Sequence, residues 1–157
     1  MRPGDRLLEI GCGRGSAAAL VCSQLGRGRL LAIDRSPAAI TAAQARNHEH
    51  VVTGKAEFRV AALDGLSVGP RRFDKIYAIN VNVFWVRSST VEIGVIRKAL
   101  KPGGSLYLFY EAPDAARTHA IAERVRTVLN GHGWGSTTHG TTTKRSTAIA
   151  CLVARPR

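Results

Sequence analysis

Nine residues near the start of the chain combine a carboxylate with three closely spaced glycines. Residues 7–15 read Leu-Leu-Glu-Ile-Gly-Cys-Gly-Arg-Gly, an apolar run suited to a buried strand that ends in glycines at alternate positions. A helix-like run, 16–25, follows at once. Such glycines let the backbone approach a ligand closely, and a helix N-terminus offers free amides and a partial positive charge. The pattern predicts a ligand-binding loop, although the carboxylate of Glu9 would not favour a pyrophosphate there.

The glycine spacing separates two kinds of ligand-binding loop. A dinucleotide-binding loop reads Gly-x-Gly-x-x-Gly directly after its strand. Here Gly11, Gly13 and Gly15 lie two apart, and Ser16 stands where the third glycine of that pattern belongs. The spacing disfavours a dinucleotide site, while a plain glycine-rich turn without a ligand stays open at this point.

Apolar runs and helical stripes alternate along the chain that follows the loop. Further strands are predicted at 29–33, 56–62, 73–80 and 105–110, and further helices begin near Pro37, Thr90 and Asp114. The helix from Pro37 is expected to fray over 46–50, and 101–104, Lys-Pro-Gly-Gly, is predicted to be a turn. Strands that alternate with helices pair in parallel and carry helices on both faces of the sheet.

The last two strand-like runs, 137–143 and 147–154, are joined by only three residues. Because so short a connection cannot form a parallel crossover, the two runs are predicted to form an antiparallel hairpin. The predicted fold class is therefore α/β, a doubly wound sheet of about seven strands that is mostly parallel and ends in an antiparallel hairpin. With no repeat and no linker, residues 1–157 are expected to form a single domain.

The composition is that of a globular chain with an excess of positive charge. The 157 residues are 45% hydrophobic and carry a formal net charge of +12. The basic residues are scattered, with no run longer than two, so a nucleic acid partner stays open but is not favoured. No apolar run approaches the ~20 residues of a membrane helix, and no signal-peptide core is present, so we expect no membrane partner and a cytoplasmic location. Cys12, Cys22 and Cys151 form no Cys-x-x-Cys pair, which predicts reduced thiols and no metal site.

Glu9-x-Gly-x-Gly-x-Gly resembles motif I of the class I S-adenosylmethionine-dependent methyltransferases. Four further segments resemble later motifs of that family in the same order, namely 30–34, 62–65, 73–80 and 100–106. The resemblance covers nearly all of the chain and implies a Rossmann-like sheet, with S-adenosylmethionine as cofactor and S-adenosylhomocysteine as product. In that family the loop wraps the methionine part of a ligand that is cationic at sulfur and carries an ammonium. The resemblance therefore implies that the negative charge of Glu9 lies near the positive charges of the ligand.

The resemblance places cofactor-binding residues at the carboxyl ends of the strands. It implies that Asp34 accepts the ribose hydroxyls, that Asp64 reads the adenine edge and that the segment ending in Asn80 passes beneath the sulfonium. Structural roles stay open beside these: Asp34 as a helix cap, Asp64 as a turn former, and Glu9 as an acceptor for backbone amides. The expected cofactor-binding residues are Glu9, Ile10, Gly11, Cys12, Gly13, Gly15, Asp34, Arg35, Leu63, Asp64, Gly65, Asn80 and Val81.

The wall of the acceptor site is expected to come from the segments that follow the fourth and fifth strands. The expected substrate-contacting residues are Asn82, Phe84, Trp85 and Tyr110. A sulfonium methyl is already electrophilic, so holding the acceptor in line with it supplies much of the acceleration, and Glu111 is only a candidate base. Asn80 is followed by Val81 rather than by the prolines typical of enzymes that methylate base amines. We therefore expect a small-molecule acceptor.

Only six residues precede Leu7, whereas members of the resembled family usually carry helices there that cover the cofactor. Three interpretations remain open: an exposed site for a large acceptor, a cover supplied by a second copy in a homodimer, or a shortened form of a longer protein. Three functional classes also remain: a methyltransferase of small molecules, which is favoured, a methyltransferase of RNA or protein, and a non-catalytic cofactor-binding subunit.

Overall fold

The computed structural model describes residues 1–68, 73–86, 89–143 and 147–157 as one sheet with helices on both faces. The strands are β1 (Arg6–Ile10), β2 (Arg29–Asp34), β3 (Ala56–Val60), β4 (Phe73–Ile79), β5 (Leu100–Glu111), β6 (Trp134–Thr142) and β7 (Ala148–Pro156). The helices are α1 (Ser16–Gln24), α2 (Pro37–Arg46), α3 (His48–Val52), α4 (Val83–Val86), α5 (Thr90–Ala99) and α6 (Ala115–Gly131).

The sheet has seven strands in the order β3-β2-β1-β4-β5-β7-β6. Strands β1 to β5 pair in parallel, whereas β7 runs antiparallel to β5 and β6 runs antiparallel to β7. The predicted α/β sheet with a terminal hairpin is therefore confirmed, although the connection 144–146 lies outside the described residues. Because the chain leaves β1 toward β2 and later returns to β4 on its other side, a crevice is expected above β1 and β4.

Two apolar clusters bury the two faces of the sheet. On one face, α1 and α2 pack through small and branched side chains such as Ala18, Cys22 and Ile40. On the other face, α5 and α6 pack through larger ones such as Ile96 and Leu129. With both faces covered, the central strands bury mostly apolar residues, as parallel strands usually do, and the buried Glu9 of β1 is an exception. Among the described residues, no helix is both long and apolar enough to cross a bilayer.

Two of the helices begin at side-chain caps that the sequence indicates. The Ser36 hydroxyl accepts a hydrogen bond from the backbone N–H of Ala39 at 3.2 Å, and Pro37 occupies the first turn of α2. A carboxylate oxygen of Asp114 accepts from the N–H of Arg117 at 2.7 Å, so the predicted cap of α6 is confirmed.

Two local predictions around the helices are wrong. The expected fraying over 46–50 is replaced by α3, because the buried Asn47 donates from its side-chain amide to the carbonyls of Gly15 and Ala43 and fixes the chain there. The predicted turn 101–104 lies within the span of β5, where it bulges out between the pairs Phe73–Leu100 and Lys75–Ser105.

Candidate active site at the carboxyl edge of the sheet

The glycine loop lies between β1 and α1 and is held against its neighbours by backbone contacts. The N–H groups of Gly11 and Cys12 donate to the Ile33 carbonyl at 2.8 and 3.0 Å. Gly11 has φ +68°, and a Cβ there would lie 2.6 Å from a methyl carbon of Val81. Gly15 has φ +76°, and a Cβ there would lie 2.6 Å from the Asn47 amide nitrogen. A side chain at Gly11 would displace the loop from the segment after β4, and one at Gly15 would displace it from Asn47 and from α2.

Asp34 ends β2 and ties the glycine loop to the start of α2. One carboxylate oxygen accepts from the N–H of Gly13 and the other from the N–H of Ser36, both at 2.9 Å. The helix-cap role considered for Asp34 is not seen, because the Ser36 hydroxyl caps α2, and Asp34 instead bonds the loop to the backbone of Ser36. Since each carboxylate oxygen has a second lone pair, both oxygens can still accept a hydroxyl, and Asp34 also lines the main cleft.

Glu9 is almost completely buried beneath the loop, with 3% of its surface exposed. Its carboxylate accepts a hydrogen bond from the Tyr77 hydroxyl of β4 at 3.0 Å. Burial raises the pKa of the Glu9 carboxyl to about 7; the Tyr77 bond lowers it and the negative charge of Asp34 raises it further. A carboxylate in this position would be stabilised by a cation brought to the loop.

A cleft of about 490 Å³, the main cleft, opens at the carboxyl ends of β1, β2 and β4. Nine predicted site residues line it: Ile10, Gly11, Asp34, Arg35, Leu63, Asp64, Asn80, Val81 and Asn82. The cleft also includes residues that were not among the predicted site residues, namely Ile33, Ala61, Ala62, Ile79, Val83, Val86 and Glu92. Its volume falls in the usual range for small-molecule and cofactor sites.

Glu92 is the charged residue of the main cleft that sequence reasoning missed. In the helix predicted to begin near Thr90, hydrophobic periodicity favours Val91 as a buried residue, yet Val91 is 60% exposed, whereas Glu92 and Ile93 are buried. The available signal was the position of Glu92 in the first turn of α5, where a carboxylate is favoured by the helix dipole.

A second cavity of about 350 Å³, the side pocket, adjoins the main cleft at Asn80. Asn80 has φ 54°, which is uncommon for a residue with a side chain. Its N–H donates to the Phe109 carbonyl and its side-chain oxygen accepts from the N–H of Glu111, both at 2.8 Å. Asn80 thus links the ends of β4 and β5 and forms a wall common to both cavities.

The side pocket brings together three residues predicted to contact the acceptor or to act as base. These are Trp85, Tyr110 and Glu111, joined by Ala112, Pro113, Arg117 and Ile121. The Tyr110 hydroxyl is buried and has no hydrogen-bond partner among the described residues. Burial raises the pKa of this phenol, which therefore stays protonated and can donate.

Some predicted site residues lie outside the two cavities. Phe84 has no exposed surface and packs in the core, because α4 turns Val83 and Val86 toward the main cleft instead; its predicted contact with the acceptor is not seen. Gly65 lies in an adjoining depression with Asp64. Glu9, Cys12, Gly13 and Gly15 form the base and frame of the loop rather than the lining of the cleft.

The chain is similar to methyltransferases. Residues 7–104 match the family described as "Methyltransferase domain". The chain is 31% identical over 133 residues to the 27-O-demethylrifamycin SV methyltransferase of Amycolatopsis mediterranei (strain S699), a match that covers 83% of this chain and 48% of the relative. It is 31% identical over 100 residues to the malonyl-(acyl-carrier protein) O-methyltransferase of Priestia megaterium (strain DSM 319 / IMG 1521), covering 64% of this chain and 34% of that one. The chain thus spans about half the length of these relatives or less.

A solved structure of an N-methyltransferase with bound S-adenosyl-L-homocysteine has the same fold. The N-methyltransferase NodS from Bradyrhizobium japonicum WM9, in complex with S-adenosyl-L-homocysteine, superposes with a TM-score of 0.73 at 22% identity, covering 98% of this chain and 79% of NodS. At this identity the likeness shows the fold.

Proposed function

The chain belongs to the class I S-adenosylmethionine-dependent methyltransferases, and from that premise we propose that it moves the methyl group of S-adenosylmethionine to a small-molecule acceptor by in-line displacement. The observation that carries the proposal is the pair of adjoining cavities that share Asn80. The main cleft has groups that can bind a cationic nucleoside, and the side pocket has groups that can hold an acceptor beside it.

The residues of the main cleft fit S-adenosylmethionine, which when bound supplies an electrophilic methyl group. Asp34 keeps lone pairs free for the ribose hydroxyls, and Glu9 lies buried where a positive charge would stabilise its carboxylate. Leu63 and Asp64 line the end of the cleft that the resemblance assigns to adenine. Gly11 lets the loop lie close to the Val81 side chain, because a Cβ at this position would be 2.6 Å from a methyl carbon of Val81.

The charges of the two cavities favour a small acceptor over a polyanion. Among the residues that the structure describes, those with carboxylates in the lining are Asp34, Asp64, Glu92 and Glu111. Those with guanidinium groups in the same described part are Arg35 and Arg117. A site for a nucleic acid backbone would need more positive than negative side chains, because contacts to phosphate dominate such binding. The names of the two relatives also specify acceptors other than a nucleic acid.

Within the side pocket, Trp85 and Ile121 offer an apolar wall and the Tyr110 hydroxyl offers a donor. Holding the acceptor atom beside Asn80 is the main contribution that these groups make, since orientation alone gives large accelerations. Glu111 is exposed at the rim and is placed to accept a proton from an acceptor that must lose one.

The first test is calorimetric binding of S-adenosylmethionine and S-adenosylhomocysteine, with NADH as the control ligand. We expect both adenosyl ligands to bind and NADH not to bind. The Asp34→Asn variant should lose affinity at least about tenfold, because an amide nitrogen cannot accept a ribose hydroxyl. Glu57→Gln is the matched control, since Glu57 is an exposed carboxylate of β3 paired with Arg59. Failure of the wild-type chain to bind either adenosyl ligand would overturn the proposal.

The second test follows formation of S-adenosylhomocysteine with a panel of hydroxyl- and amine-bearing small molecules, a single-stranded RNA and an unfolded protein. Turnover with a small molecule, reduced by Trp85→Ala, supports the proposal. Turnover with RNA or protein alone would refute the small-molecule acceptor. Binding without turnover on any of them would instead indicate a cofactor-binding subunit.

A further inference from the structure

A cluster of ionisable side chains lies buried under the glycine loop, and the proposed function uses only one member of it. Glu9 and Tyr77 are directly paired across β1 and β4, and they are 3% and 7% exposed. The Tyr77 hydroxyl donates to a Glu9 carboxylate oxygen at 3.0 Å. Both side chains lie on the face of the sheet that α1 covers, where Tyr77 packs in the same cluster as Cys12 and Cys22. A phenol in that position reaches no ligand but fixes the direction of the carboxylate.

The groups that face Glu9 come from each element packed around it. Tyr77 belongs to β4, Cys12 to the loop, Cys22 to α1 and Asp34 to β2. Burial raises the pKa of Cys12 to about 12 and that of Cys22 to about 11, and it raises the pKa of Tyr77, so these three stay neutral near pH 7. Of these groups in the described part of the chain, Glu9 is the one whose pKa of about 7 lets it gain or lose a proton near neutral pH, and the positive charge of Lys55, just before β3, acts on Cys22.

We propose that Tyr77 is a positioning residue that holds the Glu9 carboxylate under the glycine loop, and that this pair makes the main cleft prefer a ligand with a positive sulfur to the same ligand with a neutral sulfur. The inference rests on the proposed function, since S-adenosylmethionine and S-adenosylhomocysteine differ by that charge. Glu9 directly precedes Ile10 and Gly11, which line the main cleft, and the negative charge of Asp34, another lining residue, raises the pKa of Glu9. A cation in the cleft therefore acts on Glu9 with the opposite sign.

Proton binding follows from the same geometry. Glu9 with a pKa of about 7 is largely protonated at pH 6 and largely ionised at pH 8. A cationic ligand favours the ionised form, so its binding releases a proton and its affinity rises between pH 6 and pH 8. S-adenosylhomocysteine keeps the ammonium group and lacks only the charge on sulfur, so its affinity should rise less over the same pH range. Without the Tyr77 hydroxyl, the carboxylate loses the hydrogen bond that lowers its pKa, so this rise should move to higher pH.

The ligand-free test is a carbon-13 NMR titration of the Glu9 carboxyl, assigned with Glu9→Gln. We expect Tyr77→Phe to raise the pKa of Glu9 by about one unit, which corresponds to an about tenfold weaker acid. Tyr107→Phe is the matched control, because Tyr107 pairs with Tyr77 in register from β5 and packs against the same cluster. Tyr107→Phe should leave the titration unchanged. An unchanged titration in Tyr77→Phe would overturn the inference.

The ligand test is calorimetry with S-adenosylmethionine and S-adenosylhomocysteine at pH 6, 7 and 8. At pH 7, Tyr77→Phe should reduce the preference for the sulfonium ligand by about three- to tenfold, whereas Tyr107→Phe should keep it. Binding of both ligands with the wild-type preference in Tyr77→Phe would refute the positioning role and leave the proposed function intact. Failure of the wild-type chain to bind either ligand would refute the proposed function itself.

The wild-type protein alone gives a check that depends on no variant. Titrations at pH 7 in two buffers of different ionisation enthalpy should show release of about half a proton per S-adenosylmethionine bound, falling toward zero at pH 9. Equal proton release with both adenosyl ligands would contradict the inference.

Discussion

Replacing Glu9 by glutamine should stabilise the ligand-free protein at alkaline pH while weakening its binding of a cation. The folded state holds the Glu9 carboxyl in a buried position, with a pKa of about 7 against an ordinary value of 4.5. Ionisation is therefore harder in the folded chain than in the unfolded one. A glutamine keeps the size of the side chain and an oxygen that can accept from Tyr77, but it carries no charge at any pH.

The sign and size of the effect follow from the two pKa values. Because the pKa of Glu9 is higher in the folded state, Glu9 makes its full contribution to stability only below about pH 4.5. This contribution is lost as the pH rises to 7. The full shift corresponds to about 3 kcal/mol of unfolding free energy. The free energy of unfolding of Glu9→Gln should therefore exceed that of the wild type by under about 1 kcal/mol at pH 5 and by about 3 kcal/mol at pH 8.

Urea denaturation at pH 5, 6, 7 and 8 measures this difference directly. Groups that titrate in both proteins cancel when the two free energies of unfolding are subtracted. Glu49→Gln, which alters an exposed carboxylate of α3, controls for the loss of one surface charge and should show no such trend. If the advantage of Glu9→Gln does not grow from pH 5 to pH 8, Glu9 is not held in the folded state as a strained carboxylate, and the reasoning fails.

Three further variants test the loop and the side pocket. Asp34→Asn should melt within a few degrees of the wild type, since its oxygen can still accept from one of the two backbone N–H groups, those of Gly13 and Ser36; a large loss of melting temperature would show that Asp34 is chiefly structural. Gly15→Ala should lower the unfolding free energy by about 1–3 kcal/mol in urea titrations, because its φ is +76° and its Cβ would meet Asn47 at 2.6 Å. A Cβ at Gly13, where φ is +52°, would have nothing within 4 Å, so Gly13→Ala should lose less unfolding free energy than Gly15→Ala. Equal losses in the two variants would refute the steric explanation. Tyr110→Phe should leave stability unchanged or raise it by up to about 1 kcal/mol, while raising KM for the acceptor; unchanged kinetics would exclude the hydroxyl from acceptor binding.

The sequence was informative where function depends on residues that are close together in the chain. The glycine loop and the carboxylates that end short apolar runs are local patterns, and the parallel order of the strands brings them to one edge. Glu9 and Asp34 could be singled out from their positions alone. Their contacts could not, because the partners Tyr77 and Gly13 lie far away in sequence.

The misses arise where tertiary contacts override a local pattern. Glu92 carries a charge, so hydrophobic periodicity placed it outside the buried stripe, yet the start of α5 turns it toward the main cleft. Phe84 was taken for a cleft residue because it follows β4, but the four-residue helix α4 directs it into the core. No periodicity can be read over so short a segment.

Carboxyl groups at the two ends of the parallel strands have pKa values shifted in opposite directions. At the amino end, Asp5 and Asp74 are bonded to Lys75 and Lys101, and these bonds outweigh burial and lower the pKa of both carboxyls. At the carboxyl end, Glu9 is more deeply buried, yet its hydrogen-bonding side chain is a neutral phenol and its pKa is raised. Folding alone would favour the arrangement of the amino end at both edges, because a paired carboxylate is stable when ionised. The strain at Glu9 therefore argues for a positive charge that the described side chains do not place beside it and that a bound ligand would supply.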